Sequence, residues 1–99
     1  MKTERDQIRD VEKLGALVRA VRIAQGFRRD ELAAATGLSP KFISQVEAGK
    51  ETAQFGKVLQ LLAELGIELF AETPNTTFTQ EELEAARTRR RSPRSKSEA

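Results

Sequence analysis

The side chains best suited to chemistry in this sequence are hydrogen-bonding ones gathered between Arg28 and Lys50. Lys41 and Gln45 stand four residues apart. That is one helical turn, so on a helix they share a face. Glutamine matches N6 and N7 of adenine, and lysine donates to O6 and N7 of guanine. Ser44 stands next to Gln45, and Ser39-Pro40 precedes Lys41. A serine hydroxyl there caps a helix, bonds a phosphate, or does both. Arg28, Arg29 and Lys50 flank the group and carry the charge that phosphates need. Outside a presented helix the same residues would be an ordinary solvated surface.

Covalent chemistry has little to draw on. The chain contains no Cys and no His. That excludes disulfides, thiolate zinc sites, Cys–His pairs and Ser–His–Asp triads. It also lacks a glycine-rich phosphate loop and an acid pair on a convincing shared surface. The expectation is a protein that is not an enzyme and uses no metal or cofactor.

The net charge of +2 over 99 residues is small, so its distribution carries the information. Between Leu14 and Lys50 the bases Arg19, Arg22, Arg28, Arg29, Lys41 and Lys50 face only Asp30, Glu31 and Glu47. From Glu51 to Thr79, Lys57 stands against Glu51, Glu64, Glu68 and Glu72. A basic first half suggests a side that meets a polyanion. The far tail, with Arg87, Arg89, Arg90, Arg91, Arg94 and Lys96, reads as a nucleic-acid arm, a partner-docking segment or a solvated tail.

The elements that position these groups follow from hydrophobic spacing. Val11, Leu14, Leu17, Val18 and Val21 mark an amphipathic helix that Gly26 stops. Arg29–Thr36 reads as a second short helix, ended by Gly37, with Leu38 in the turn as a plug for the core. Ser39 as N-cap and Pro40 at the first position open a third helix, Ser39–Ala48, with Phe42, Ile43 and Val46 inward. A fourth helix, roughly Thr52–Leu65, has the stripe Phe55, Val58, Leu59, Leu62 and Leu65. The period then shortens to two. Ile67, Leu69 and Ala71 alternate with Glu68, Phe70 and Glu72, as in a strand. Thr79 with Glu82 resembles a capping box for a last short helix. Residues 89–99, with almost no apolar side chains, are expected to lack order.

Two short helices joined through Gly37-Leu38 make a helix-turn-helix, whose second helix fits the DNA major groove. The string ELAAATGLSPKFISQVEAGK resembles the most recognisable stretch of the lambda-repressor-like, XRE-type helix-turn-helix family. The resemblance extends over roughly residues 13–66. It implies that Ser39, Pro40, Lys41, Ser44 and Gln45 lie on the helix that reads duplex DNA at a palindromic operator. It also implies an ion pair between Arg22 and Glu47, tying the first helix to the third. An acid so close to a buried stripe needs such a partner. Arg28-Arg29 departs from the usual Thr-Gln of the family. This removes a hydroxyl cap from the second helix and exchanges a glutamine phosphate clamp for arginines.

The order fourth helix, then LGIELFAE, resembles antitoxins of the HipB type. That resemblance implies a transcriptional repressor that controls its own operon and binds a HipA-type kinase toxin. It also implies a homodimer in which a strand pairs with its twin. The physical argument agrees: a lone strand leaves both edges unmet. Its one internal partner, Thr76–Thr79, is short and lacks a tight-hairpin signal. The alternatives are an orphan XRE-type regulator and a protein-bridging module that does not read bases.

The expected architecture is therefore mostly α, with four to five helices and one C-terminal strand pairing across a dimer. Residues 1–10 form a charged arm, 11–66 the DNA-binding domain, 67–72 the dimerisation strand, and 73–99 a linker, marginal helix and basic tail. No apolar run is long enough to span a bilayer, and Met1–Asp10 lacks the apolar centre of a signal peptide. The expected location is the cytoplasm.

Overall fold

The computed structural model describes residues 5, 7–74 and 77–88. The chain falls into two units, Met1–Leu69 and Phe70–Ala99. The first holds four helices: α1 (Val11–Ala24), α2 (Arg29–Thr36), α3 (Pro40–Glu47) and α4 (Phe55–Leu65). The second holds α5 (Gln80–Thr88). No helix among the described residues is long and apolar enough to cross a membrane.

Side chains set the helix starts. Asp10 Oδ1 accepts the amide of Lys13 at 2.8 Å to open α1. Ser39 Oγ accepts that of Phe42 at 3.0 Å to open α3, and Pro40 fills the first helical position. Arg28 cannot cap α2 with a side-chain oxygen. Instead Glu31 reaches back, and its Oε1 accepts the Arg28 amide at 2.8 Å, the acidic half of a capping box. Gly37 ends α2 with φ 80°. A side chain there would meet the left-handed backbone penalty, so glycine lets the chain turn at once into α3. Thr36 ties the turn from inside. Its Oγ1 donates to the Leu32 carbonyl at 2.9 Å and accepts the Leu38 amide at 3.1 Å.

The core draws on all four helices of the first unit: Val18, Leu32, Ala33, Ile43, Val46, Val58, Leu61, Leu62 and Leu65. Leu38 and Phe42 pack against it, partly buried. The expected α4 stripe requires correction. Val58, Leu61, Leu62 and Leu65 are the buried face, whereas Phe55 and Leu59 are 63% and 41% exposed. At about 100° per residue the four buried positions fill one side of the helix, and Phe55 and Leu59 fall on its flank. The helix also starts at Phe55, later than Thr52. Its first turn closes on the Gln54 carbonyl, which accepts the amides of Lys57 and Val58. The preceding residues carry the chain over from α3.

Residues Ile67–Glu72 form no strand in the single chain, nor do residues 77–79. A strand requires a hydrogen-bonded ladder, and the described residues form none here. Ile67 instead packs against the core and donates its amide to the Leu62 carbonyl at 2.9 Å.

In the second unit the Thr79 and Glu82 spacing gives a reciprocal cap. The Thr79 amide donates to Glu82 Oε1 at 2.8 Å, and the Glu82 amide to Thr79 Oγ1 at 3.0 Å. No residue of α5 is buried. The arginine tail, residues 89–99, lies outside the described residues, as do residues 1–4 and 6 of the charged arm.

Candidate nucleic-acid interface

The two faces of α3 differ in kind. Ile43 and Val46 point into the core. Lys41 and Ser44 are exposed, and Gln45 is partly buried at the edge of the same outer face. The Ser39 hydroxyl accepts the Phe42 amide, leaving its own proton to donate. Lys41 and Lys50 are exposed, with no ion-pair partner among the described residues.

The inner anchor of α3 is Glu47, whose side chain is 2% exposed. A carboxylate in the last turn of a helix meets the negative end of the helix dipole, and burial removes the water that would offset this. Arginines replace the water. Arg22 of α1 donates from Nε to Oε2 at 2.6 Å and from Nη2 to Oε1 at 3.1 Å. Its remaining Nη1 donates to the Phe27 carbonyl at 2.8 Å, fixing the turn before α2. The hydrogen bond to Glu47 raises the Arg22 pKa above its ordinary value despite burial, so the guanidinium stays charged. Arg29 of α2 donates from Nε to Oε1 at 3.1 Å, and its Nη2 lies 3.0 Å from the same oxygen. One carboxylate therefore joins three helices.

This geometry sorts the expected phosphate partners. Arg29 is engaged inward on Glu47 while its side chain stays 41% exposed. Arg28 is fully outward, with Nε 3.2 Å from Asp30 Oδ1 and Nη2 3.6 Å from Glu31. The bond to Asp30 raises the Arg28 pKa, and the same bond lowers that of Asp30. Exposed pairs of this sort contribute little stability, so exchanging the carboxylate for a phosphate costs little.

Sequence reasoning missed four polar groups in this unit. Arg19 stands three residues before Arg22 on the same face of α1, with Nε 4.0 Å from Glu47 Oε1; that spacing was the available signal. Lys57 Nζ sits 5.8 Å from the Phe42 ring centroid, a cation–π distance. Gln25 Nε2 donates to the Leu65 carbonyl at 2.8 Å. These last two join distant segments and leave no local trace. Thr36, at the turn, is the fourth. Among the described residues no group of acids could hold a metal ion.

A tight turn between two helices, with the second presenting polar side chains flanked by bases, defines a helix-turn-helix domain built for nucleic acid. The family described as Helix-turn-helix domain matches residues 13–69. Over 60 residues the chain is 53% identical to an uncharacterized HTH-type transcriptional regulator, y4mF, of Sinorhizobium fredii, covering 61% of this chain and 79% of the relative. The chain belongs to the helix-turn-helix domain family and is a homologue of that regulator. Among solved structures, a chain of a HipA–HipB–O2–O3 complex superposes with a TM-score of 0.66 at 20% identity, covering 72% of this chain and all of the other. The restriction-modification controller protein C.AhdI of Aeromonas hydrophila gives 0.53 at 31% identity, covering 59% and 88%. At 20% identity the first likeness speaks to the fold alone.

Proposed function

We propose that this chain is a sequence-specific DNA-binding repressor, the antitoxin of a HipBA-type toxin–antitoxin system. It represses its own operon as a homodimer and binds a HipA-type kinase. The observation that carries the DNA reading is the outer face of α3. Lys41, Ser44 and Gln45 are presented there by a helix whose inner side is locked through Glu47 to α1 and α2. Arg28, Ser39 and Lys50 surround that face as phosphate partners, and Pro40 leaves the helix start without an amide to satisfy. The antitoxin reading draws on the likeness to HipB, known in complex with HipA and in a HipB–O4 20mer complex.

Dimerisation uses Ile67–Glu72 paired antiparallel across a two-fold axis. The alternation of Ile67, Leu69 and Ala71 with Glu68, Phe70 and Glu72 favours it. Phe55, Leu59 and Leu69, large apolar side chains left in water by the single chain, favour it as well. A regulator with no toxin partner is the second reading; the 53% identity to the HTH-type transcriptional regulator y4mF supports the regulator role common to both.

Two measurements test the proposal. The chain should repress a reporter placed behind the DNA upstream of its own reading frame, and it should co-purify with a kinase of the HipA type encoded beside it. Repression without a kinase partner selects the second reading. Absence of both removes the proposal.

A further inference from the structure

We infer that Gly15 is a positioning residue for DNA reading. With Gly49 it sets the depth at which α3 seats on α1, and hence the reach of the Lys41–Ser44–Gln45 face. The inference rests on the reading of α3 as the base-reading helix.

Gly15 lies buried inside α1, where glycine is a poor helix former compared with alanine. Space explains it. A Cβ on Gly15 would collide with the carbonyl oxygen of Val46 and lie 2.8 Å from that of Glu47. Both atoms belong to the backbone of the last turn of α3, so neither can rotate away. Gly49, just past α3, makes the matching contact from the other side. Its φ is +85°, and a Cβ there would lie 2.9 Å from Glu12 Cγ and 3.0 Å from Glu12 Cα. Glu12 and Gly15 share one face of α1, which continues to Arg19 and Arg22, the two arginines of this helix that reach Glu47. The C-terminal end of α3 therefore rests directly on the backbone of α1.

A methyl group at position 15 forces that end of α3 outward by about an ångström, the scale at which a preorganised site loses its geometry. Because α3 has only eight residues, moving one end tilts all of it. Base-edge hydrogen bonds hold only over roughly 2.7–3.2 Å, so they are lost first. Long lysine and arginine side chains still reach phosphates. The consequence is a split: preference for the cognate sequence falls, while affinity for arbitrary DNA stays.

The test compares wild type, Gly15→Ala, Gly49→Ala and Val58→Ala, the last a core change on α4 that leaves the α1–α3 seam alone. The probe is the duplex that wild type recovers from a randomised pool about two helical turns long, set against a scrambled duplex. Each protein is measured at a temperature where circular dichroism shows it folded. Gly15→Ala should lose about ten- to a hundredfold of the cognate preference at near-constant affinity for scrambled DNA. Val58→Ala should melt earlier yet keep the preference. A folded Gly15→Ala with the wild-type preference overturns the inference. If Gly15→Ala does not fold, Gly49→Ala decides, with Gly26→Ala, a left-handed glycine in open space, as the control for backbone strain: a preference reduced in Gly49→Ala alone supports the seam, and one unchanged or reduced equally in both rejects it. A wild type without any cognate preference removes the DNA-reading proposal itself, and the inference with it.

Discussion

Arg22 Nε of α1 lies 2.6 Å from Glu47 Oε2 of α3, and the carboxylate is almost entirely removed from water. Glu47→Ala leaves the buried Arg22 guanidinium uncompensated and should lower unfolding free energy by about 3–5 kcal/mol in urea titrations, enough to unfold much of a domain this small. Arg22→Ala should fall short of that, because Arg29 still donates to the carboxylate. Arg29→Ala should cost less, because its side chain is half in solvent and Arg22 still holds the carboxylate. A loss under about 1 kcal/mol for Glu47→Ala, the range of surface pairs, would contradict the anchor.

Base reading is tested at Lys41 and Gln45. Each change to alanine should cost about 1–3 kcal/mol of cognate affinity while leaving the melting temperature near wild type. The comparison with scrambled DNA decides the role. An equal loss on both duplexes assigns these side chains to phosphate, and no loss on either rejects direct contact.

Lys50 is exposed and has no ion-pair partner among the described residues. Lys50→Ala should weaken binding to all duplexes alike and reduce the log–log salt slope by about one per phosphate contact removed. An unchanged slope would place Lys50 away from the DNA.

Assembly is tested at Leu69. Proline there removes an amide and forbids a central ladder position. Leu69→Pro should sediment as a monomer, and its cognate binding should fall sharply. A wild type that is monomeric at tens of micromolar, a rough upper range for a specific dimer, would rule out the shared strand.

Local rules carried most of what sequence made legible. Ser39 and the Thr79–Glu82 pair are caps whose effect spans three residues, so their spacing alone locates α3 and α5. Gly37 marks the turn for the same reason. What stayed hidden depends on distant neighbours. Periodicity put Phe55 and Leu59 in the α4 stripe, but which flank of an apolar helix is buried depends on where α1 and α2 stand. The contact of Arg29 with Glu47 was equally invisible, because nothing beside Arg29 in the chain points to a buried carboxylate eighteen residues on. The role of Gly15 has no local signature; only the carbonyls of Val46 and Glu47 packed against it give it meaning.

In the proposed function α3 reads DNA sequence on a basic-flanked frame. The most direct measurement is a fluorescence-anisotropy titration of the wild-type protein against its selected duplex and a scrambled one, across roughly 50–200 mM salt. Binding to the selected duplex is expected to be tighter at every salt concentration, with affinity for both falling steeply, by several log units per log unit of salt per dimer. Equal affinity for the two duplexes, or binding indifferent to salt, would contradict this role of α3.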